Sequence, residues 1–137
     1  MIYEHKVQYY ETDAMKIVHH SNYVRWMEET RVAFLEKINV PLEMLEEMGI
    51  VCPVLEVNCE YRHMTVFGDT VTIEATLDEF SGVRMLVSYT MTLPDGRECC
   101  IAKSKHCFMQ NGRILNLRKK YPELYERFLP EIKDKAE

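Results

Sequence analysis

The sequence predicts an α+β fold in which a strongly curved antiparallel sheet wraps around one long helix. The segment Asn22–Lys37 places apolar residues at the three- and four-residue spacing of a helix. It stands between a first strand and a series of segments whose side chains alternate with the two-residue period of strands. Because a long apolar helix and a large sheet must bury each other, we expect the two to pack together.

The N-terminal part of the chain supplies the first strand and the long helix. Ile2–Tyr10 is rich in aromatic and β-branched residues and is predicted to be a strand. On one face it presents Tyr3, His5, Val7 and Tyr9. A polar turn and an irregular stretch follow, and Ser21 or Asn22 can cap the helix. At about 1.5 Å per residue, this helix should be roughly 24 Å long.

The remainder of the chain is predicted to be mainly strand. Pro41 opens a second short helix, which Gly49 closes. The expected strands are Ile50–Arg62, Asp69–Glu79, Val83–Leu93, Arg97–Met109 and a short Arg113–Leu117. Pro94-Asp95-Gly96 and Asn111-Gly112 are predicted turns. A charged helix from about Lys119 to Asp134 ends the chain, with Pro122 in its first turn and Pro130 breaking or kinking it.

Length and composition exclude several classes of protein. The 137 residues fit one domain that spans 1–137, and a net charge of −5 with scattered charges argues against a nucleic-acid partner. The longest stretch without a charged side chain, Met85–Pro94, is too short for a membrane span. No signal peptide is evident at the N-terminus, and so we expect a cytoplasmic protein with reduced cysteines.

Residue spacing also argues against common cofactor and metal sites. The five glycines stand too far apart to form a dinucleotide fingerprint or a phosphate-binding loop. The sequence contains no GxSxG, HExxH or CxxC motif. Neighbouring histidines such as His19 and His20 rarely share a metal ion, and so we expect no metal site.

The densest cluster of reactive side chains lies between the first strand and the long helix. It comprises Tyr9, Tyr10, Glu11, Asp13, His19, His20, Asn22 and Tyr23. A helix N-terminus offers free N–H groups to an oxyanion, and a nearby carboxylate can act as nucleophile or base, which together suit acyl transfer. Alternatively, Asp13 is an Asx-turn residue, Asn22 is a helix cap, and the two histidines are polar surface.

The stretch VQYYETDAMKIVHHSNYVRWMEETR resembles the signature of the 4-hydroxybenzoyl-CoA thioesterase family, especially its YbgC-like acyl-CoA thioesterase branch. The resemblance is specific over Val7–Arg31 and implies the hotdog fold. By position, Asp13 corresponds to the catalytic carboxylate, and His20 to the residue whose backbone N–H polarises the thioester carbonyl. Tyr9 matches an aromatic residue grouped with these two, although it could equally be a strand tyrosine. Tyr23, at the helix start, is expected to contact substrate.

Two features depart from the family pattern. Lys16 stands where many members have glycine, and so we expect a loop backbone that does not depend on a left-handed conformation. The basic run that holds CoA phosphates in the 4-hydroxybenzoyl enzymes is reduced here to Arg84. Arg84 is therefore a candidate phosphate contact or simply an outward-facing strand residue. Other candidates are Arg62, His63, Lys103 and Lys105.

The resemblance implies a cytoplasmic enzyme that hydrolyses acyl-CoA with water and needs no cofactor or metal. It also implies a homodimer, or a homotetramer built from two dimers, with clefts at the subunit boundary. An alternative is a non-catalytic module that binds or senses acyl thioesters on the same fold. Hydration of an enoyl thioester is a third, less favoured reading, because those enzymes arrange their Asp/His pair differently.

Overall fold

The computed structural model describes residues 1–133 and confirms the α+β prediction. No helix among those residues is long and apolar enough to cross a membrane. The strands are β1 (Ile2–Lys6), β2 (Ile50–Val51), β3 (Val54–Tyr61), β4 (Thr70–Phe80), β5 (Arg84–Thr92), β6 (Glu98–Cys107), β7 (Met109–Gln110) and β8 (Arg113–Ile114). The α-helices are α1 (Ser21–Lys37), α2 (Leu42–Glu47), α3 (Leu117–Lys120) and α4 (Pro122–Phe128).

The main sheet is antiparallel throughout, in the order β1-β4-β5-β6-β3. The apolar faces predicted for β4 and β5 point into the core, where Ile73 and Met91 are fully buried. From α1, Trp26 and Met27 are equally inaccessible to solvent. Helix and sheet therefore bury each other as the periodicity predicted.

The first strand is shorter than predicted, because its partner β4 begins opposite Lys6. Lys6 pairs with Thr70, the first residue of β4, and beyond that point only Val7 keeps contact, with its N–H donating to the Asp69 carbonyl at 2.9 Å and its carbonyl accepting the Gly68 N–H at 3.3 Å. The chain then turns into a 3-10 helix over Tyr9–Glu11, which leaves the Tyr9 side chain 76% exposed. The prediction that Tyr9 shares the face of Tyr3 and Val7 is wrong.

The predicted strand Ile50–Arg62 is in fact two strands in different sheets. Pro53, which lacks a backbone N–H for strand pairing, lies in the break between β2 and β3. β2 joins β7 and β8 in a separate three-stranded sheet that the sequence did not predict. The Asn111-Gly112 turn connects β7 and β8 as predicted, with positive φ at both residues.

The C-terminal helix is also divided. Tyr121, with φ −133° and ψ 67°, separates α3 from α4, because a residue that precedes proline is disfavoured in helical conformation. Pro122 occupies the first turn of α4, and Pro130 lies in the 3-10 helix Leu129–Glu131 that ends it. The predicted end of the helix, Asp134, lies outside the described residues.

Candidate active site

A tight turn holds Asp13 immediately after the 3-10 helix. The Lys16 N–H donates to the Asp13 carbonyl at 2.8 Å, and the Asp13 N–H donates to the Ile17 carbonyl at 2.9 Å. The Asp13 carboxylate accepts the Met15 N–H through Oδ1 at 2.8 Å, which is an Asx turn. Within residues 1–133, no donor is hydrogen-bonded to Oδ2. One carboxylate oxygen thus fixes the turn while the other is available for chemistry.

Lys16 takes the left-handed conformation that the sequence analysis did not expect of it. Its φ is +66°, the conformation that glycine adopts most readily. The expectation that the loop backbone would not depend on this conformation is wrong. The two hydrogen bonds that close the turn around Asp13 require it, whichever residue stands there.

The start of α1 faces the same turn. The helix begins at Ser21, so that His20 occupies the N-cap position, and the His20 side chain makes no capping hydrogen bond. In the described part of the chain, the His20 N–H has no backbone acceptor. Asn22, one of the two predicted caps, does not cap the helix. Its buried side-chain amide donates instead to the carbonyls of Glu11 (2.9 Å) and His19 (3.2 Å).

Asp13, His20 and Tyr23 line a single open cavity with a volume of about 410 Å³. The sequence predicts these three side chains in one site, and in the structure they line the same cavity. The remaining lining residues are Met15, Ile17, Val18, Tyr61, Arg62, His63 and Met64. The Tyr61 hydroxyl donates to the His20 carbonyl at 3.1 Å and so ties the end of β3 to the helix start.

Tyr23 contributes an aromatic wall rather than an ionisable group. Its hydroxyl donates to Thr65 Oγ1 at 3.0 Å, and the side chain is buried. Burial raises the pKa of Tyr23 to about 12, although the hydrogen bond with Thr65 lowers it in part. The phenol therefore stays protonated at neutral pH.

Two predicted site residues lie outside this cavity. Tyr9 packs edge-on against Phe67, with ring centroids 5.7 Å apart. Arg84 lines a separate surface depression of about 740 Å³. It pairs with Cys107 at one end of β6, whereas Tyr61 pairs with Cys100 near the other end. One protomer therefore does not unite Arg84 with Asp13, and roles in catalysis or substrate binding for Tyr9 and Arg84 stay predictions.

Tyr61 and Met64 line the cavity, but no motif in the sequence points to them. They come from the end of β3 and the segment after it, far along the chain from Asp13. Arg62, named only as one of several phosphate contacts, lies in the cavity wall. It also pairs with Glu60 at 2.9 Å and with Glu98 at 3.3 Å. No local pattern could rank these residues, because the strand order brings them to the site.

A second cavity, of about 300 Å³, lies between the later part of α1 and the sheet. Its walls are mainly apolar, and Glu28 and Arg31 of α1 contribute to them. Glu29, the neighbour of Glu28 on α1, instead accepts a hydrogen bond from the Tyr3 hydroxyl and lies 3.0 Å from His5 Nδ1. No metal-binding group of three or more His, Cys, Asp or Glu side chains occurs in residues 1–133.

Comparison with known proteins gives the same architecture. A crystal structure of a hypothetical protein from Aquifex aeolicus is 36% identical, with a TM-score of 0.84, and the match covers 91% of this chain and 98% of the other. A DHNA-CoA thioesterase from Staphylococcus aureus superimposes with a TM-score of 0.89 over 94% of this chain and 88% of the other. At 22% identity, this second likeness concerns the fold alone.

Sequence relatives point to the same family. The long-chain acyl-CoA thioesterase FadM of Escherichia coli is 29% identical over 93 residues, which is 67% of this chain and 70% of FadM. The sequence profile of the thioesterase-like superfamily matches residues 7–132, nearly the whole chain. The chain therefore belongs to the thioesterase-like superfamily and has the hotdog fold of its members.

Proposed function

We propose that this protein hydrolyses acyl-CoA thioesters to a free acid and CoA, with Asp13 as the catalytic carboxylate. The observation that carries the proposal is that a carboxylate and a helix N-terminus line one cavity. Asp13, whose Oδ2 accepts no hydrogen bond within residues 1–133, and His20, whose N–H has no backbone acceptor there, line the same cavity and would supply the complementary parts that acyl transfer needs. The Val7–Arg31 signature further supports membership of the YbgC-like branch of the 4-hydroxybenzoyl-CoA thioesterase family.

The proposed reaction places the thioester carbonyl oxygen at the His20 N–H. Oδ2 of Asp13 then either takes a proton from the attacking water or attacks the carbonyl carbon itself. In the first route the water oxygen bonds to the carbonyl carbon, the C–S bond breaks, and the leaving CoA thiolate takes up the proton that Asp13 had accepted. In the second route the C–S bond breaks to leave an acyl anhydride on Asp13; water then hydrolyses this anhydride, which releases the free acid, restores the carboxylate and supplies the proton that the thiolate takes up. An oxyanion donor of this kind contributes on the order of 10²–10³ in kcat in enzymes where it has been removed.

Relatives whose names specify CoA thioesters support the proposed substrate class. These are FadM and a 1,4-dihydroxy-2-naphthoyl-CoA hydrolase of Thermosynechococcus vestitus, 23% identical over 109 residues. Within the cavity, Arg62 and His63 offer positive or polar groups suited to CoA phosphates, and Met15 and Met64 offer apolar surface. Arg84 joins this role only if another subunit brings it to the site.

We propose further that two copies pair along β3. This edge strand has one neighbour, β6, among the described strands. It also exposes the apolar side chains of Val54, Leu55 and Val57. An unpaired edge with apolar side chains is a template for pairing with another strand. Such a homodimer, or a tetramer of two dimers, is what the family resemblance implies. A cytoplasmic location is proposed with it, in agreement with five free cysteines.

A non-catalytic acyl-thioester module is the alternative, and one observation favours it. The Asx turn gives Asp13 a structural task that requires no chemistry. A pure binder would hold acyl-CoA in the same cavity and release it unchanged.

The test is release of free CoA from a panel of short-, medium- and long-chain and aromatic acyl-CoA esters. Chromatographic detection is preferable to a thiol dye because the protein has five free cysteines. We expect turnover by the wild type and a loss of two or more orders of magnitude in Asp13→Ala. Binding of several esters without any CoA release would favour the alternative.

A further inference from the structure

A network of hydrogen-bonded side chains centred on a buried carboxylate lies next to the turn that carries Asp13. Its centre is Glu11, whose side chain is 4% exposed. Oε1 of Glu11 accepts the Gln8 N–H and contacts His5 Nε2, both at 2.8 Å. Oε2 accepts the indole N–H of Trp26 at 2.7 Å. The partners of the two carboxylate oxygens thus come from three elements: β1 and the 3-10 segment hold Oε1, and α1 holds Oε2.

His5 connects Glu11 to a second carboxylate. Its Nδ1 lies 3.0 Å from Glu29 Oε1, and the same oxygen accepts the Tyr3 hydroxyl at 2.9 Å. Both ring nitrogens of His5 therefore face carboxylate oxygens. The ring also packs on Trp26, with centroids 4.7 Å apart. His5 is thereby fixed in orientation.

The Glu11 backbone links this network to both parts of the proposed site. Its carbonyl accepts the His19 N–H and the Asn22 side-chain amide, each at 2.9 Å. Those two residues flank His20, whose N–H is the proposed oxyanion donor. In the other direction, Glu11 is followed by Thr12 and then Asp13. Glu11 is therefore linked both to the segment that carries Asp13 and to the segment that carries the His20 N–H.

The network holds Glu11 as a carboxylate. Burial alone would raise its pKa, but hydrogen bonds from the Gln8 N–H, His5 and Trp26 outweigh burial and leave the pKa lowered. A charged and triply held side chain cannot rotate without losing these bonds. Its backbone is consequently fixed as well.

We propose that Glu11 is a positioning residue for the proposed hydrolysis: its buried carboxylate, held by His5 and Trp26, sets the placement of Asp13 relative to the His20 N–H. This inference rests on the proposed function and adds a residue that neither touches substrate nor lines the cavity. The functional consequence is a defect in the chemical step rather than in substrate affinity, because the substrate-lining side chains remain.

The experiment compares Glu11→Gln with wild type, using the acyl-CoA ester that wild type hydrolyses fastest. Glu11→Gln keeps the shape but removes the charge. We expect kcat per folded molecule to fall about 10- to 100-fold, since a misplacement of about 1 Å can cost 10²-fold. KM should stay unchanged. Urea unfolding of both proteins gives the folded fraction, so that a loss of stability is separated from a loss of catalysis.

A double-mutant cycle tests whether Glu11 acts through Asp13. Adding Glu11→Gln to Asp13→Asn should cause no further loss of kcat, because the carboxylate to be positioned is already absent. Glu29→Gln is the matched comparison, since Glu29 shares His5 but does not contact the Asp13 turn. It should lower kcat less than Glu11→Gln does. Should Glu11→Gln fail to fold, His5→Gln replaces it in the same cycle.

Each outcome bears on the inference. A loss confined to kcat and absent from the Asp13→Asn background supports it. Wild-type turnover that Glu11→Gln leaves intact, an equal loss in Glu29→Gln, or a further loss on top of Asp13→Asn overturns it while the proposed function stands. Absence of turnover by the wild type overturns the proposed function and this inference together.

Discussion

The turn around Asp13 stores backbone strain at Lys16, and replacement by glycine should release it. A residue with a Cβ in the left-handed region costs roughly 1–2 kcal/mol, and Lys16 has φ +66°. The Lys16 side chain makes no ion pair with a described residue, so its removal costs little stabilising interaction. Glycine also makes the unfolded chain more flexible, and this entropy disfavours folding by about 0.4–1 kcal/mol. The net expectation for Lys16→Gly is a gain of about 0.5–1 kcal/mol in the free energy of unfolding.

Urea or thermal unfolding at a fixed protein concentration measures this gain. For a chain of this length the expected rise in Tm is roughly 2–4 °C. Lys16→Ala is the matched control, because alanine keeps the Cβ and therefore the strain. Asn111→Gly, at φ +54°, is a second control, since asparagine tolerates this region and should gain less. A Lys16→Gly protein no more stable than Lys16→Ala would refute the strain argument.

Three further predictions concern acid stability, thiol reactivity and assembly. Burial, followed by the nearby charge of Arg31, lowers the pKa of His106 to about 4, below its ordinary 6.5. The unfolded chain therefore binds the extra proton between these values, and stability should fall by up to about 1.4 kcal/mol per pH unit as pH drops from 6.5 to 4. His106→Gln should flatten that part of the stability–pH curve; an unchanged slope contradicts the assignment. A hydrogen bond from Cys100 lowers the pKa of Cys59 to about 7, so iodoacetamide near neutral pH should label Cys59 first, as peptide mass mapping would show. Earlier labelling of any other cysteine would contradict this. Finally, Val57→Lys on the β3 edge should shift the protein towards monomer in light scattering, and an unaltered mass would remove β3 from the proposed interface.

Local sequence patterns predicted the elements of the core well. In α1, β4 and β5 one face is buried, and burial of one face produces a periodic pattern of apolar residues that is visible in the sequence. Their buried faces, including Trp26 and Ile73, are as predicted. The predictions were wrong at the ends of several elements, and they missed the separate sheet of β2, β7 and β8. β1 stops where β4 begins, and that depends on the length of a strand more than sixty residues away.

The site was predicted in part for the same reason. Asp13, His20 and Tyr23 lie close in sequence, so a local motif could group them, and they share one cavity. Tyr61 and Met64 reach that cavity only because β3 ends beside the helix start. Lys16 shows a different limit. Hydrogen bonds on both sides of the turn impose its positive φ, and residue identity alone argued against it.

The most direct test of the proposed catalysis is kcat for Asp13→Asn beside Asp95→Asn, on the acyl-CoA ester that wild type hydrolyses best. Asp95 is a matched control because its Oδ1 also accepts the N–H two residues on, from Arg97 at 3.0 Å, but it lies outside the Asp13 cavity. Asparagine keeps the Asx turn in both variants and removes only the charge. We expect kcat to fall at least about 100-fold in Asp13→Asn and to stay at the wild-type value in Asp95→Asn. Equal activity in the two variants would contradict a catalytic role for Asp13.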